Sequence, residues 1–207
     1  MSNLGFSSTL KAVLAAATVT CVFAVTVVTQ QLMVRLDGDY LRISVTPHLN
    51  FIEGRTLERL EDGLSVSFVA QLTIAPSQNS LVSLARSTAR FAISRDVWEH
   101  TFTVQKMGER PDSRRSIAHR SAEAAETWCL DNLTIDRSMI PADAPFYVQL
   151  DLRAEDPHDQ LGIVGESGIN ITQLIALFAK PVKVGQKHWN FSNGPLLLKD
   201  LRKAGQG

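Results

Sequence analysis

The chain has 207 residues with 21 Lys and Arg against 21 Asp and Glu, and its mean hydropathy is zero. Balanced charge excludes a polyanion-binding protein, because counterion release needs a surplus of Lys and Arg on one face. A hydrophobic content of 44% excludes disorder of the chain as a whole.

The averages conceal a division. Through Val34 the only charged side chain is Lys11, and the other 41 charges fall on residues 35–207. Ala12 to Val34 is an uncharged stretch of 23 residues whose inner part, AVLAAATVTCVFAVTVV, is almost wholly apolar. A spanning helix needs about 20 apolar residues, whereas the apolar region of a cleavable signal runs to about 7–15. The stretch ends in Thr29-Gln30-Gln31, without the small-x-small pattern of a cleavage site. Residues 1–34 are therefore expected to form an uncleaved signal-anchor helix and residues 35–207 one extracytoplasmic domain, long enough for a single core. Lys11 and the amino terminus on one side nearly balance Arg35 and Arg42, diluted by Asp37 and Asp39, on the other. Orientation rests instead on the position of the span: export signals are N-terminal, and no later hydrophobic span returns the chain. The expectation is a single-pass protein of the inner membrane with its C-terminal domain facing the periplasm or cell exterior. Cys21 reads as apolar filler within the span. Cys129 is then the single thiol of the domain, so no intradomain disulfide forms, and beside Trp128 on a helix it reads as a small buried hydrophobe.

Strand periodicity dominates the remainder. Leu41, Ile43 and Val45 alternate with Arg42, Ser44 and Thr46; Leu64, Val66, Phe68, Ala70, Leu72 and Ile74 recur at every second position until Pro76. Ala89, Phe91 and Ile93 give a third strand, and Trp98, Phe102 and Val104 a fourth, interrupted by His100 at an inward position. Phe146, Val148, Leu150 and Leu152 give the fifth. One-sided alternation of this kind belongs to antiparallel sheets with one wet face. Thr56 can cap a short helix, LERLED, that Gly63 closes, and Ser121 can cap AEAAETWCLDN with Ala122, Ala125 and Cys129 on one face. Gly168 to Ala179 carries no charge, stops at Lys180-Pro181, and reads as a third, core helix too short to cross a bilayer. Gly108 to Arg120, with four arginines, reads as a solvated loop. The fold class is thus mainly β, an antiparallel sandwich-like domain with two or three short helices behind one transmembrane helix, with an open α+β sheet as the alternative.

Catalytic constellations are absent from the sequence. Neither GxGxxG nor GxxxxGK[ST] occurs, and the five histidines, His48, His100, His119, His158 and His188, form no HxH or HExxH pair. Gly165-Glu-Ser-Gly168 resembles the nucleophile loop of trypsin-like proteases, but Ile169 stands where that motif needs glycine, and His119 lies too near Ser167 for two intervening barrels. Asp151, Glu155, Asp156 and Asp159 cluster around Pro157-His158 and read as a solvated loop, with weak calcium binding the functional rival. No cofactor or metal site is expected.

The order of motifs resembles family 4390 of the bacterial domains of unknown function. The resemblance is carried by Leu57-Glu-Arg-Leu-Glu-Asp-Gly63 leading into Leu64-Ser-Val-Ser-Phe68, an aromatic at Phe102 before Val104, and the alanine-rich run from Ser121 to Leu130. Phe146-Tyr-Val-Gln-Leu-Asp-Leu-Arg153, Lys180-Pro181 and Trp189-Asn-Phe-Ser192 complete it. Pro76-Ser-Gln-Asn-Ser80 replaces the family's tryptophan-rich patch, and Glu155 to Gly168 stands as an insertion. The resemblance implies a short exported or membrane-anchored protein of unassigned activity and names no catalytic residue.

The expected function is a non-enzymatic, membrane-anchored interaction module of the bacterial envelope, with the membrane and an envelope protein as partners and no nucleic acid. The alternative is a domain that binds an apolar ligand or lipid at the membrane surface. Trp98, Phe178 and Trp189 are the candidate contacts for a ligand or partner. An enzyme working through Asp156, His158 and Asp159 is the third reading.

Overall fold

The computed structural model describes residues 29–78, 80–107, 115–155, 164–165, 168–169, 178–179, 181–182 and 185–201. Among them the chain is mainly β and antiparallel throughout. The strands are β1 (Gln31–Asp37), β2 (Tyr40–Thr46), β3 (Val66–Ala75), β4 (Ala85–Asp96), β5 (Thr101–Met107), β6 (Arg115–His119), β7 (Ile135–Asp136), β8 (Phe146–Ala154), β9 (Val164–Gly165), β10 (Gly168–Ile169) and β11 (His188–Leu196). Two helices, α1 (Arg55–Glu61) and α2 (Ala122–Asp131), interrupt them. One sheet has six strands in the order β11-β8-β3-β4-β5-β6 and another has three, β1-β2-β7; β9 and β10 pair separately.

The inner faces of the two large sheets contribute to one hydrophobic cluster. Leu32, Leu41, Ile43 and Val45 from the smaller sheet join Phe68, Leu72, Ile74, Phe91, Ile93, Phe146 and Leu150 from the larger. Phe51, on the segment between β2 and α1, meets Phe68 edge to face with ring centroids 4.8 Å apart, and Trp189 closes on both rings at 6.2 Å. Edge-to-face packing of this kind adds to the area term, which makes these three rings the aromatic centre of the core.

The alternation in β3 has the expected phase, with Val66, Phe68, Ala70, Leu72 and Ile74 all buried. Its second face is not wet, however: Ser67, Val69, Thr73 and Ala75 are buried as well. Register explains this. Val69 lies opposite Arg90 on β4 and opposite Arg153 on β8, and both arginines are themselves buried. A polar face reads as solvated from periodicity, but here paired ionic side chains cover it.

Several elements depart from the sequence expectation. Gln31 to Val34, assigned above to the end of the anchor, are the first residues of β1, with Leu32 buried in the core. The uncharged stretch preceding the domain therefore ends at Gln30. Residues 1–28 lie outside the described residues, and among those described no helix is long and apolar enough to cross a membrane. Trp98 and His100 belong not to a strand but to the β4–β5 turn, where Asp96 Oδ1 accepts from the Trp98 and Glu99 amides at 2.9 and 3.0 Å and His100 takes a left-handed φ of 54°. Thr56 does not cap α1; Gly54, at φ 56°, takes that position and Thr56 is buried in the first turn. Ser121 caps α2 as expected, its Oγ accepting from the Ala124 amide at 3.1 Å, and Gly63, at φ 76°, ends the region of α1.

Arg115 to His119, placed in a solvated loop, form β6; Ser-Ile-Ala-His is too short to register as a period without its partner β5. Of the expected third helix, Gly168 and Ile169 pair with Val164 and Gly165 in β9–β10, Phe178 and Ala179 are helical, and 170–177 lie outside the described residues. β7 and β11 carry too little alternation to be predicted, and the alternation of Leu32, Val34 and Leu36 in β1 is hidden because its first half continues the apolar N-terminal stretch.

Phe68→Ala should destabilise the full-length chain by about 3–5 kcal/mol, because it removes a fully buried ring held by two others. Chemical denaturation in detergent followed by tryptophan fluorescence checks this, Trp189 being the reporter.

Candidate functional site

The three aromatic candidates stand apart. Trp189, opposite Leu152 on β8, faces the core with Phe51 and Phe68. Phe178 lies on the other face of the same sheet, its ring under the Arg153 guanidinium with 4.9 Å from the Arg153 Cζ to the ring centroid. Trp98 stands on the β4–β5 turn and is 91% exposed. Two of the three have packing partners and only Trp98 is presented to solvent, so they do not form the walls of one cavity.

Two clusters of polar side chains depart from the sequence reading: Asp151 and Glu155, read with Asp156 and Asp159 as a solvated acidic loop, instead lie on β8 and directly after it and are paired with arginines, and the cluster around α2 was not predicted. The first is the ionic layer over β3. Arg90 Nε meets Glu155 Oε2 at 2.6 Å with both side chains nearly sealed from solvent, 5% and 1% exposed. Beside it Arg153 grips both oxygens of Asp151 at 3.0 Å, and His188 Nε2 lies 3.1 Å from Asp151 Oδ1. The β3 register brings these groups together: Val69 separates Arg90 from Arg153, and Gln71 is opposite Asp151. Buried pairs of this kind add little net stability over apolar replacements, but removing one partner strands the other. The layer also fixes the chain after β8, since the Glu155 amide donates to Ser67 O at 2.8 Å and the Ala154 amide to Lys187 O at 3.0 Å.

The second lies around α2. Glu126 is buried at the helix centre and accepts from the Asn50 amide at 2.9 Å and the Ile52 amide at 2.6 Å, so the segment leading to α1 is held to α2 through one carboxylate. Burial raises its pKa above the ordinary carboxyl value, with the two amides opposing the shift. Cys129, one turn further on, is buried and its thiol is pushed far up by desolvation, which leaves it unreactive.

On the opposite flank of α2 an open groove of ≈ 390 Å³ runs beside β6, lined by His119, Glu123, Ala124, Thr127, Trp128 and Asp131 among others. The Trp128 ring sits 6.2 Å from His119 and 6.3 Å from Phe91, which ties the groove floor to the core. His119 Nε2 is buried without a hydrogen-bond partner, and desolvation lowers the pKa of the ring. Glu123 and Asp131 mark the two ends of the groove, meeting His48 and Arg35 respectively, each at 2.6 Å through one oxygen. The only sequence trace of this groove is the i, i+4, i+8 spacing of Glu123, Thr127 and Asp131.

Among the described residues no group of three His, Cys, Asp or Glu side chains is placed to hold a metal ion. Asp156, His158, Asp159 and Ser167 lie outside the described residues. The lowered pKa values of Asp96 and Asp136 come first from hydrogen bonds within their own turns, with Glu99 and Ser138.

Removing Glu126 should be costly: Glu126→Ala leaves two amides without their acceptor, a loss of about 2–4 kcal/mol. Because its folded pKa is raised, the folded chain holds this proton more tightly than the unfolded chain. The associated stability is full below the ordinary carboxyl value of 4.5 and is lost as pH rises through the raised value. Denaturation midpoints of wild type and Glu126→Gln measured against pH should therefore show the wild type declining relative to the variant on going upward from that value. The chain matches no family model, no curated protein and no solved structure.

Proposed function

We propose that this chain is a non-enzymatic interaction module of the bacterial envelope: a sandwich-like β domain held at the outer side of the inner membrane by the apolar N-terminal segment, binding a protein partner there. The observation that carries the reading is the open β6 edge beside the α2 groove. Among the described residues no strand pairs with that edge, and a row of unpaired backbone groups is the usual template for association with another chain. The buried ionic side chains have structural employment: Arg90 with Glu155, Arg153 with Asp151, and Glu126 with two amides.

The sequence supports the placement. Ala12 to Gln30 remains an uncharged run of 19 residues ahead of β1, within the range of about 17–25 for a spanning helix. The resemblance of the motif order to that of family 4390 is in keeping with an envelope protein. Tethering raises the effective concentration of such a domain for a membrane partner to the millimolar range, so modest intrinsic affinity suffices. The lipid-binding alternative has less support, because Trp98, Phe178 and Trp189 occupy a turn and two opposite sheet faces.

Two measurements test the proposal. The full-length protein should sediment with membranes after carbonate extraction and lose its C-terminal domain to protease added to spheroplasts. Crosslinking in intact cells should return one discrete envelope protein. Recovery of the full-length chain in the aqueous phase, or repeated crosslinking with no partner, would overturn it.

A further inference from the structure

We infer that the β6 edge receives an extended segment of a partner protein, which adds to the six-stranded sheet and turns basic, apolar and basic side chains at alternate positions toward α2. The inference rests on the reading of the chain as an interaction module and names the surface and the partner chemistry.

The other ends of the two large sheets are guarded. β11 and β1 lie against each other, with Asn193 Nδ2 donating to Leu32 O at 2.6 Å, and the β11 register breaks between Asn193 and Leu196. Gly194 there takes φ 151°, and a Cβ at that position would come within 2.6 Å of the Tyr147 ring. β7 has only two residues and passes directly into a turn of 3-10 helix. Among the described residues β6 has neither a register break nor a strand shortened to two residues; it is bonded to β5 on one side only, and Ser116, Ile117 and Ala118 are all exposed. Breaks, short strands and covering elements are how sheets close their edges; where they are lacking, strand addition is the available mode of recognition.

The groove sets what the added strand must carry. α2 runs back alongside β6 from end to end. Ser121 caps the helix two residues after His119, and at the other end Lys106, opposite Arg115, donates to Asn132 O at 2.6 Å. Ile117 and His119 are opposite Val104 and Phe102, both buried core residues, so Ile117 belongs to the face toward the helix, yet it is 43% exposed. Glu123, Thr127 and Asp131 line the groove as one stripe. Eight helical residues rise about 12 Å, and three alternate residues of an added strand span about 13–14 Å. The two spacings match closely enough for one side chain to meet each position of the stripe. The middle residue would face Thr127, Ala124 and the Trp128 ring, and is apolar. The outer two would face carboxylates whose second oxygens, Glu123 Oε2 and Asp131 Oδ2, meet no donor among the described residues, and are basic.

A second copy of this chain fits less well. A twofold axis through Ile117 would set Arg115 opposite His119 and bring Glu123 of one helix toward Asp131 of the other, like against like. The chemistry favours a different protein.

The test uses the full-length chain in detergent micelles and a synthetic peptide, acetyl-Thr-Lys-Thr-Val-Thr-Lys-Thr-amide, with a control bearing glutamate for both lysines. The lysine peptide should slow hydrogen exchange at alternate amides within β6 by at least about tenfold and the glutamate peptide should not. Glu123→Lys combined with Thr127→Lys, two exposed positions that leave the core untouched, should weaken the lysine peptide by at least about tenfold, a change of about 1.4 kcal/mol. No protection of β6, equal protection by both peptides, or undiminished binding to the double variant would overturn the inference. So would β6 amides already protected in the free chain: concentration-dependent protection identifies a second copy as occupant, and concentration-independent protection a segment of the same chain. If crosslinking in cells still recovers the partner with the double variant, the interaction module stands and its docking surface lies elsewhere.

Discussion

Burial of Phe68 between Phe51 and Trp189 is the interaction on which the rest of the domain depends. Phe68 belongs to the third strand of the larger sheet, Trp189 to its edge, and Phe51 to the segment leaving the smaller sheet, so the three rings fasten both sheets into one core. The segment carrying Phe51 is held in turn by Glu126 through the amides of Asn50 and Ile52. Aromatic packing and a buried carboxylate thus act on the same stretch of chain, and together they fix α2 against the sheets. The position of α2 creates the groove beside β6.

The opposite face of the larger sheet follows a different logic. There the centre is ionic, with Arg90–Glu155 and Arg153–Asp151 side by side over Val69. Paired charges in a buried layer contribute specificity of register more readily than net stability. A slip of one residue between β4 and β8 would turn Arg90 to the apolar face and separate it from Glu155, whereas Arg153 and Asp151 share β8 and would move together. The layer therefore enforces the strand alignment that the apolar face requires.

The strands with strong period-two alternation, β2, β3, β4 and β8, were legible because half-buried strands write their burial directly into residue order. So was the cap of α2, because Ser121 acts on an amide three residues away. β1, β6, β7 and β11 were not. β1 alternates through Leu32, Val34 and Leu36, but its first half reads as a continuation of the apolar N-terminal run; the other three alternate weakly, and each is a strand because a neighbour supplies its hydrogen bonds, β6 because of β5 and β7 because of β2. Trp98 illustrates the opposite error, since its apolar character continued a strand pattern that Asp96 ends by capping the turn. Of the candidate contacts, Trp189 packs with Phe51 and Phe68 and Phe178 packs against Arg153, and sequence spacing carries no information on which face of a sheet each would meet.

What the sequence determined by itself is the division between an uncharged N-terminal run and a charge-balanced domain, and the antiparallel, mainly β character of that domain. Both follow from local composition and a period of two, which need no knowledge of distant residues. Only the tertiary structure decided that the polar face of β3 is covered, that Gln31 to Val34 enter a sheet, and that α2 lies along β6. Each of these is set by residues far apart in the chain meeting across a register, as Arg90 meets Glu155 and Glu126 meets Ile52, and a contact of that kind leaves no periodic trace in either partner.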